Sequence, residues 1–206
     1  MDFPDDIFSG CGSRLKSQLL FSAEIDKMTS VYRRTLLLDR SRRENDAEHS
    51  WHIAVMALLF EEYAVEKVDI RHAVEMLLVH DLIEIYAGDT FAYDIAGGKD
   101  KHLREQSAAE KLFALLPEDQ SVKIKQLWQE FDAAATADAK YANCLDRLQP
   151  FYHNMLTDGH TWRNADIPVT SAQVRKRTAC IKEFMPQLYC WVENCIAEAE
   201  KRGWLA

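Results

Sequence analysis

Residues 69–88 read DIRHAVEMLLVHDLIEIYAG, and this stretch decides the fold class. Its apolar residues recur at helical spacing, Asp69 stands where an N-cap belongs, and Gly88 stands where a C′ glycine would end a helix. The spacing predicts one helix between these two residues. Its last turns are polar: His80, Asp81 and Glu84 follow the apolar run AVEMLLV. At about 100° per residue Glu84 shares a face with the other two, and burying that face is costly unless it lines a pocket.

The same pattern continues outward in both directions. Phe21, Ile25 and Met28 are spaced i, i+4, i+7 and predict a first helix beginning near Ser13. Asn45 with Glu48 forms a capping-box pattern that opens a helix through WHIAVMALLFEEYA to about Lys67. Beyond Gly88, DTFAYDIAGGKD has no helical period and reads as an ordered loop. Helices are then expected from about Asp100 to Leu116, from Glu118 to Phe131, and from Asp138 to Leu156 with a kink at Pro150. Thr170 with Gln173 opens a last segment towards Arg202, interrupted by Pro186. The expectation is an all-α, single-domain bundle of six or more helices spanning residues 1–206.

Composition agrees with helices and narrows function. Gly 7 and Pro 5 in 206 residues are too few for a turn-rich β architecture, and 48% hydrophobic content is ample for a core. The net charge of −8, with no basic block, predicts no nucleic-acid partner, while leaving room for a small anionic substrate. The longest apolar stretch, Ile53 to Phe60, is too short to span a bilayer, and the start MDFPDDIFSG has no basic signal-peptide head. A cytoplasmic protein with no membrane association is expected. Five cysteines without a CxxC read as reduced thiols, mostly buried. Glycine-loop nucleotide motifs, GxSxG and HExxH are all missing.

What remains is His80-Asp81. A His-Asp pair alone is weak, since seven His and seventeen Asp predict roughly 0.6 such pairs by chance. A buried divalent ion needs three or four ligands, and two further candidates lie in helical context: His49, and Asp146 in the apolar stretch YANCLDRLQPFY. Two imidazoles and two carboxylates suit one Mn²⁺, Fe²⁺, Co²⁺, Ni²⁺ or Zn²⁺ ion or, less well, Mg²⁺. Such a site leaves room for water as a nucleophile.

The order His49, His80-Asp81, Asp146 resembles the H…HD…D signature of the HD-domain metal-dependent phosphohydrolases. RRENDAEHSW at 42–51, HDLIEIYAGDT at 80–90 and LDRLQP at 145–150 are similar to the branch of the bacterial 5′-deoxynucleotidases and HD-domain-containing protein 2. The resemblance runs from about Ile25 to Pro150. It implies metal ligation by His49, His80, Asp81 and Asp146, a catalytic carboxylate at Glu84, and a second acid at Asp89 acting in catalysis and substrate binding. It also implies an arginine at Arg34 that holds the substrate phosphate, and a homodimer. One position departs: where the deoxynucleotidases carry a tryptophan that crowds the sugar 2′ position, this chain has Thr35. The implied activity is hydrolysis of (deoxy)nucleoside 5′-monophosphates. The alternatives are an HD-type phosphodiesterase or alarmone hydrolase, and a non-catalytic, metal-stabilised helical binding module.

Other residues take blander readings. His52, three after His49, is more readily a hydrogen-bonded core or rim histidine than a fifth ligand, and His72, His102, His153 and His160 are read likewise. Arg42 and Arg43 read as solvated or as partners for Glu44. Trp191 with Cys190 and Cys195 reads as core or subunit contact.

Overall fold

The computed structural model describes residues 5–93, 100–166 and 168–206. Helix α1 spans Ser13–Ile25, and Met28 falls in the 3₁₀ turn Asp26–Ser30 that follows it. Helix α2, Asp46–Leu59, starts with the expected capping box: the Asn45 side chain accepts from the Glu48 N–H, and the Glu48 carboxylate accepts from the Asn45 N–H. It stops at Leu59 and not near Lys67, because the chain turns through the 3₁₀ segment Glu61–Tyr63.

The helix predicted between Asp69 and Gly88 is divided. Asp69 caps α3, Ile70–Val79, by accepting from the N–H groups of Arg71 and His72. From His80 to Ile83 the backbone tightens into turns, with Leu82 N–H bonded to Val79 and Glu84 N–H to Asp81, before α4, Glu84–Ala87, resumes. Helical periodicity cannot register a tightening of this kind, because a 3₁₀ step changes the bond partner without altering the apolar spacing. Gly88 closes α4 at φ +76°, a conformation that favours glycine.

The later helices are α5 Lys101–Phe113, α6 Glu118–Ala133, α7 Ala137–Leu156, α8 His160–Arg163, α9 Ser171–Arg177, α10 Ala179–Phe184 and α11 Pro186–Lys201. Helix α7 runs on through Pro150. The proline has no N–H for the Asp146 carbonyl, so this turn lacks one backbone bond just where Asp146 projects. Thr170 and Gln173 form the predicted capping box at α9. The loop expected over 89–100 falls partly on residues 94–99, which lie outside the described residues.

The fold is all-α, with one addition. Strands β1, Tyr32–Leu36, and β2, Arg43–Asn45, pair antiparallel, with Tyr32 opposite Asn45 and Leu36 opposite Arg43. At the centre of the bundle α3 packs against both α2 and α7, and α2 against α7. Ile53, Ala57, Ala73, Met76, Leu77 and Leu145 are fully buried there. The Tyr141 hydroxyl donates to the Ala57 carbonyl at 2.8 Å, tying α7 to α2. No helix among the described residues is long and apolar enough to cross a membrane. The thiols are less buried than expected: only Cys144 is buried, Cys11, Cys180 and Cys195 are half-buried, and Cys190 is exposed.

Candidate metal centre

The three central helices bring the four candidate ligands to one point. His49 lies in the first turn of α2, His80 and Asp81 directly follow α3, and Asp146 sits midway along α7. His49 Nε2 is 3.0 Å from Asp146 Oδ1 and 3.9 Å from Asp81 Oδ2. His80 Nε2 is 3.1 Å from Asp81 Oδ2 and 3.7 Å from Asp146 Oδ1. His49 is 0% exposed and His80 4%.

Hydrogen bonds behind the rings aim their inner nitrogens. The Nδ1–H of His80 donates to the Leu77 carbonyl at 2.8 Å, which leaves Nε2 as the lone-pair nitrogen. For His49 the partner is Gln149, whose amide nitrogen donates to Glu44 Oε1 at 2.5 Å and whose oxygen therefore faces His49 Nδ1 at 3.0 Å. That assignment puts the His49 proton on Nδ1 and its lone pair on Nε2. In its neutral form each imidazole presents the Nε2 lone pair to carboxylate oxygens, an arrangement that is favourable only with a proton or a metal cation between them. His80 Nε2 is buried, and the polar groups facing it are the Asp81 and Asp146 carboxylates, at 3.1 and 3.7 Å, so the ring nitrogen and the two acids share one small polar point.

The charge balance points the same way. Burial lowers the His80 pKa, but Asp81 and Asp146 reverse this and hold it up at about 10. Burial, then the charges of Asp81 and Asp89, push Glu84 up to about 9. Burial and Asp81 push Asp46 up to about 8, and burial raises Asp89. Burial and the crowding of like charges favour the protonated forms of Glu84, Asp46 and Asp89, and the neighbouring carboxylates do so for His80. His49 is the exception, pushed down to about 4 by burial and by Arg33. Burial works against the ionised form of Asp146, yet Arg147 and the two histidines keep its carboxyl well below the usual range. The donor set and its crowded carboxylates fit a divalent cation.

Glu84 and Asp89 line one cavity with His80, Asp81 and Asp146. Glu84 is 6% exposed, and its Oε2 has no hydrogen-bond partner. The two arginines of β1 part company. Arg33 turns inward, its Nη1 2.6 Å from Asp81 and 3.1 Å from Asp46, with Asp89 and Asp146 both at 4.0 Å. Arg34 lies half-exposed at the rim of the same cavity, over the Phe91 ring at 5.2 Å and 3.9 Å from Asp166. Thr35, 6% exposed, alternates with Arg34 and lines the cavity.

Arg33, Asp46, Glu44 and Gln149 are not singled out by the sequence reading as parts of this centre, although Glu44 and Asp46 lie in RRENDAEHSW and Gln149 in LDRLQP. His52 and His153 are not among the ligands gathered around Asp146. With Glu44 they form a separate cluster around the Gln149 amide, which lies 3.3 Å from His52 Nδ1 and 3.1 Å from His153 Nε2. His72 pairs with Glu130 at 2.8 Å. Arg42 pairs with Glu48 and not with Glu44, which is buried at 1% exposure behind the centre.

A family model for the HD domain matches residues 25–189, and the chain belongs to that family. Among solved structures, a predicted metal-dependent phosphohydrolase from Magnetospirillum magnetotacticum MS-1 is 51% identical, with a TM-score of 0.88 over 94% of this chain and 96% of the other. The human protein named 5′-deoxynucleotidase HDDC2 is 32% identical over 143 residues, covering 69% of this chain and 68% of the relative. Its Xenopus laevis counterpart is 28% identical over 84% of this chain and 94% of its own length.

Proposed function

We propose that this chain is a divalent-metal-dependent 5′-nucleotidase that hydrolyses (deoxy)nucleoside 5′-monophosphates to nucleoside and inorganic phosphate. The observation that carries this reading is the convergence of His49, His80, Asp81 and Asp146 on one point beside Glu84 and Asp89 in a single cavity. The names of the relatives support the substrate class.

His49, His80, Asp81 and Asp146 would hold one ion, of Mn, Co, Fe, Ni or Zn, with Mg as the weaker fit. When bound, a divalent cation supplies Lewis acidity towards a phosphate oxygen and lowers the pKa of water in its coordination sphere. Glu84 would orient the attacking water and take its proton as the oxygen bonds to phosphorus, a role for which its carboxyl must be ionised and which a cation held beside it would favour. The bond from phosphorus to the sugar O5′ breaks, and Asp89, with its upward-shifted carboxyl, is placed to protonate the leaving oxygen or to fix the sugar. Arg34 at the rim offers its guanidinium fork to the phosphate, while Arg33 below it is held by Asp81 and Asp46.

Thr35 bears on the sugar. A tryptophan there would exclude a ribose 2′-hydroxyl by volume, whereas threonine is smaller and offers a hydrogen-bonding hydroxyl. The ratio of kcat/KM for a deoxynucleotide over its ribonucleotide is expected to lie within about tenfold, and Thr35→Trp should move it towards the deoxy substrate. Phosphate release from a panel of nucleotides, with Mn²⁺, Co²⁺ or Mg²⁺ added, measures both activity and selectivity. No release from any monophosphate contradicts the activity; a deoxy preference of a hundredfold or more contradicts the role of Thr35.

The partners follow: a small phosphorylated substrate, no nucleic acid, no membrane, and a second copy of the chain. Trp51, Val55, Leu58 and Leu59 form an exposed apolar row on one face of α2, with Trp51 66% and Leu58 65% exposed. A homodimer through this row is expected to give a monomer in sedimentation when Trp51 is changed to Glu, with helicity retained. A monomeric wild type contradicts it. A cytoplasmic setting completes the reading.

A further inference from the structure

Five cationic side chains line the cavity that holds Glu84 and Asp89: Arg33, Arg34, Lys101, Arg147 and Arg177. Four of them are answered by carboxylates. Arg33 pairs with Asp81 and Asp46, Arg34 approaches Asp166, Lys101 lies 3.2 Å from Glu105, and Arg147 pairs with Asp146. Arg147 also donates to Asn143 Oδ1 at 3.3 Å.

Arg177, the last residue of α9, makes no hydrogen bond or ion pair among the described residues. Burial pulls its pKa down, the like charge of Arg147 pulls it further, and Asp146 and Tyr93 offset only part of this. Guanidinium stays charged at any physiological pH, so the free protein carries a half-buried cation with no hydrogen-bonded counterion among the described residues. Such a group is a cost to stability that an incoming anion removes.

The charge of the loaded site indicates which anion. A divalent cation held by two neutral imidazoles and two carboxylates forms a neutral set, and Arg33 is already engaged by Asp46 and Asp81. A phosphate monoester brings about two negative charges near neutral pH. Beside Arg34 at the rim, Arg177 is a second cation lining this cavity whose fork is not taken up by a carboxylate.

We propose that Arg177, supported by Arg147, binds the phosphate group of the substrate. This rests on the phosphohydrolase reading above, and it adds a substrate-binding residue from α9, well outside the stretch that carries the H…HD…D pattern.

The test uses inorganic phosphate as the probe, titrated calorimetrically into Mn²⁺-loaded wild type, Arg177→Gln and Arg177→Lys. Arg177→Gln is expected to weaken phosphate binding at least tenfold and to raise KM for a nucleoside monophosphate by a similar factor, with metal content unchanged. Arg177→Lys should recover part of the affinity, since it restores the charge without the fork. Without phosphate, the melting temperature of Arg177→Gln should match or exceed that of wild type, because the variant sheds an uncompensated charge. Phosphate affinity within twofold of wild type overturns the proposal. So does a fall in affinity that comes with a lower melting temperature and lost metal, which would make Arg177 a structural support. If wild type binds phosphate through Arg177 yet releases none from any nucleotide, the hydrolase reading fails and the binding role stands.

Discussion

Replacing Glu84 by glutamine is expected to lower kcat by about 10²-fold or more while the protein keeps its divalent metal, as befits a group that moves a proton and does not ligate. The variant preserves shape and removes the ability to accept a proton. It should also change stability in a direction the environment of Glu84 dictates. The folded-state pKa of Glu84 is pushed up to about 9 from an ordinary value of 4.5. The metal-free folded state therefore binds more protons than the unfolded chain between those values, and its stability falls as pH rises through that window. Glutamine does not titrate. Metal-free Glu84→Gln should accordingly melt no lower than wild type at pH 8, and its melting temperature should depend less on pH. Loss of metal together with activity would instead make Glu84 a ligand. Metal content and single-substrate kinetics on the same preparation separate these outcomes.

How far the sequence reveals this molecule depends on how local each signal is. The capping boxes at Asn45–Glu48 and Thr170–Gln173 and the cap at Asp69 are legible because donor and acceptor lie within three residues of one another. The helices that begin near residues 101, 118 and 137 are legible because each buries a periodic apolar stripe, and α1 because Phe21 and Ile25, one turn apart, pack partly buried against the core. The ribbon of β1 and β2 was missed because YRRTL and REN show no alternation of apolar and polar residues. Its inward face supplies Arg33 and Glu44 to a polar centre in place of hydrophobic residues to a core, so the usual strand pattern is absent. The turn at His80–Ile83 was hidden by an apolar spacing that suits an unbroken helix.

The candidate site divides in the same way. His49, His80, Asp81 and Asp146 are chemically conspicuous residues in a recognisable order, and the fold brings them together. Their supports are not conspicuous. Gln149 is an ordinary amide until α7 places it between His49 and Glu44, and Asp46 is an ordinary first-turn acid until Arg33 reaches it. Arg33 and Arg34 are adjacent and chemically identical. Only the pleat of β1 determines that Arg33 meets the carboxylates while Arg34 lies at the rim.

The largest effect is expected at Asp146. It is the proposed ligand that α7 contributes, and its Oδ1 stands between the inner nitrogens of His49 and His80 at 3.0 and 3.7 Å. Asp146→Ala leaves two imidazoles and Asp81 to hold a doubly charged ion, with one negative charge in place of two. Affinity should fall by at least about 100-fold, and because metal binds only the folded state, the stabilisation that added metal gives to wild type should vanish in the variant. The decisive measurement is metal content per chain, by elemental analysis after Mn²⁺ loading and exhaustive dialysis, in wild type and Asp146→Ala. One ion per wild-type chain, with little or none in the variant and no phosphate release from it, is the expected result. A variant that retains one ion per chain and full activity would contradict the assignment of this centre.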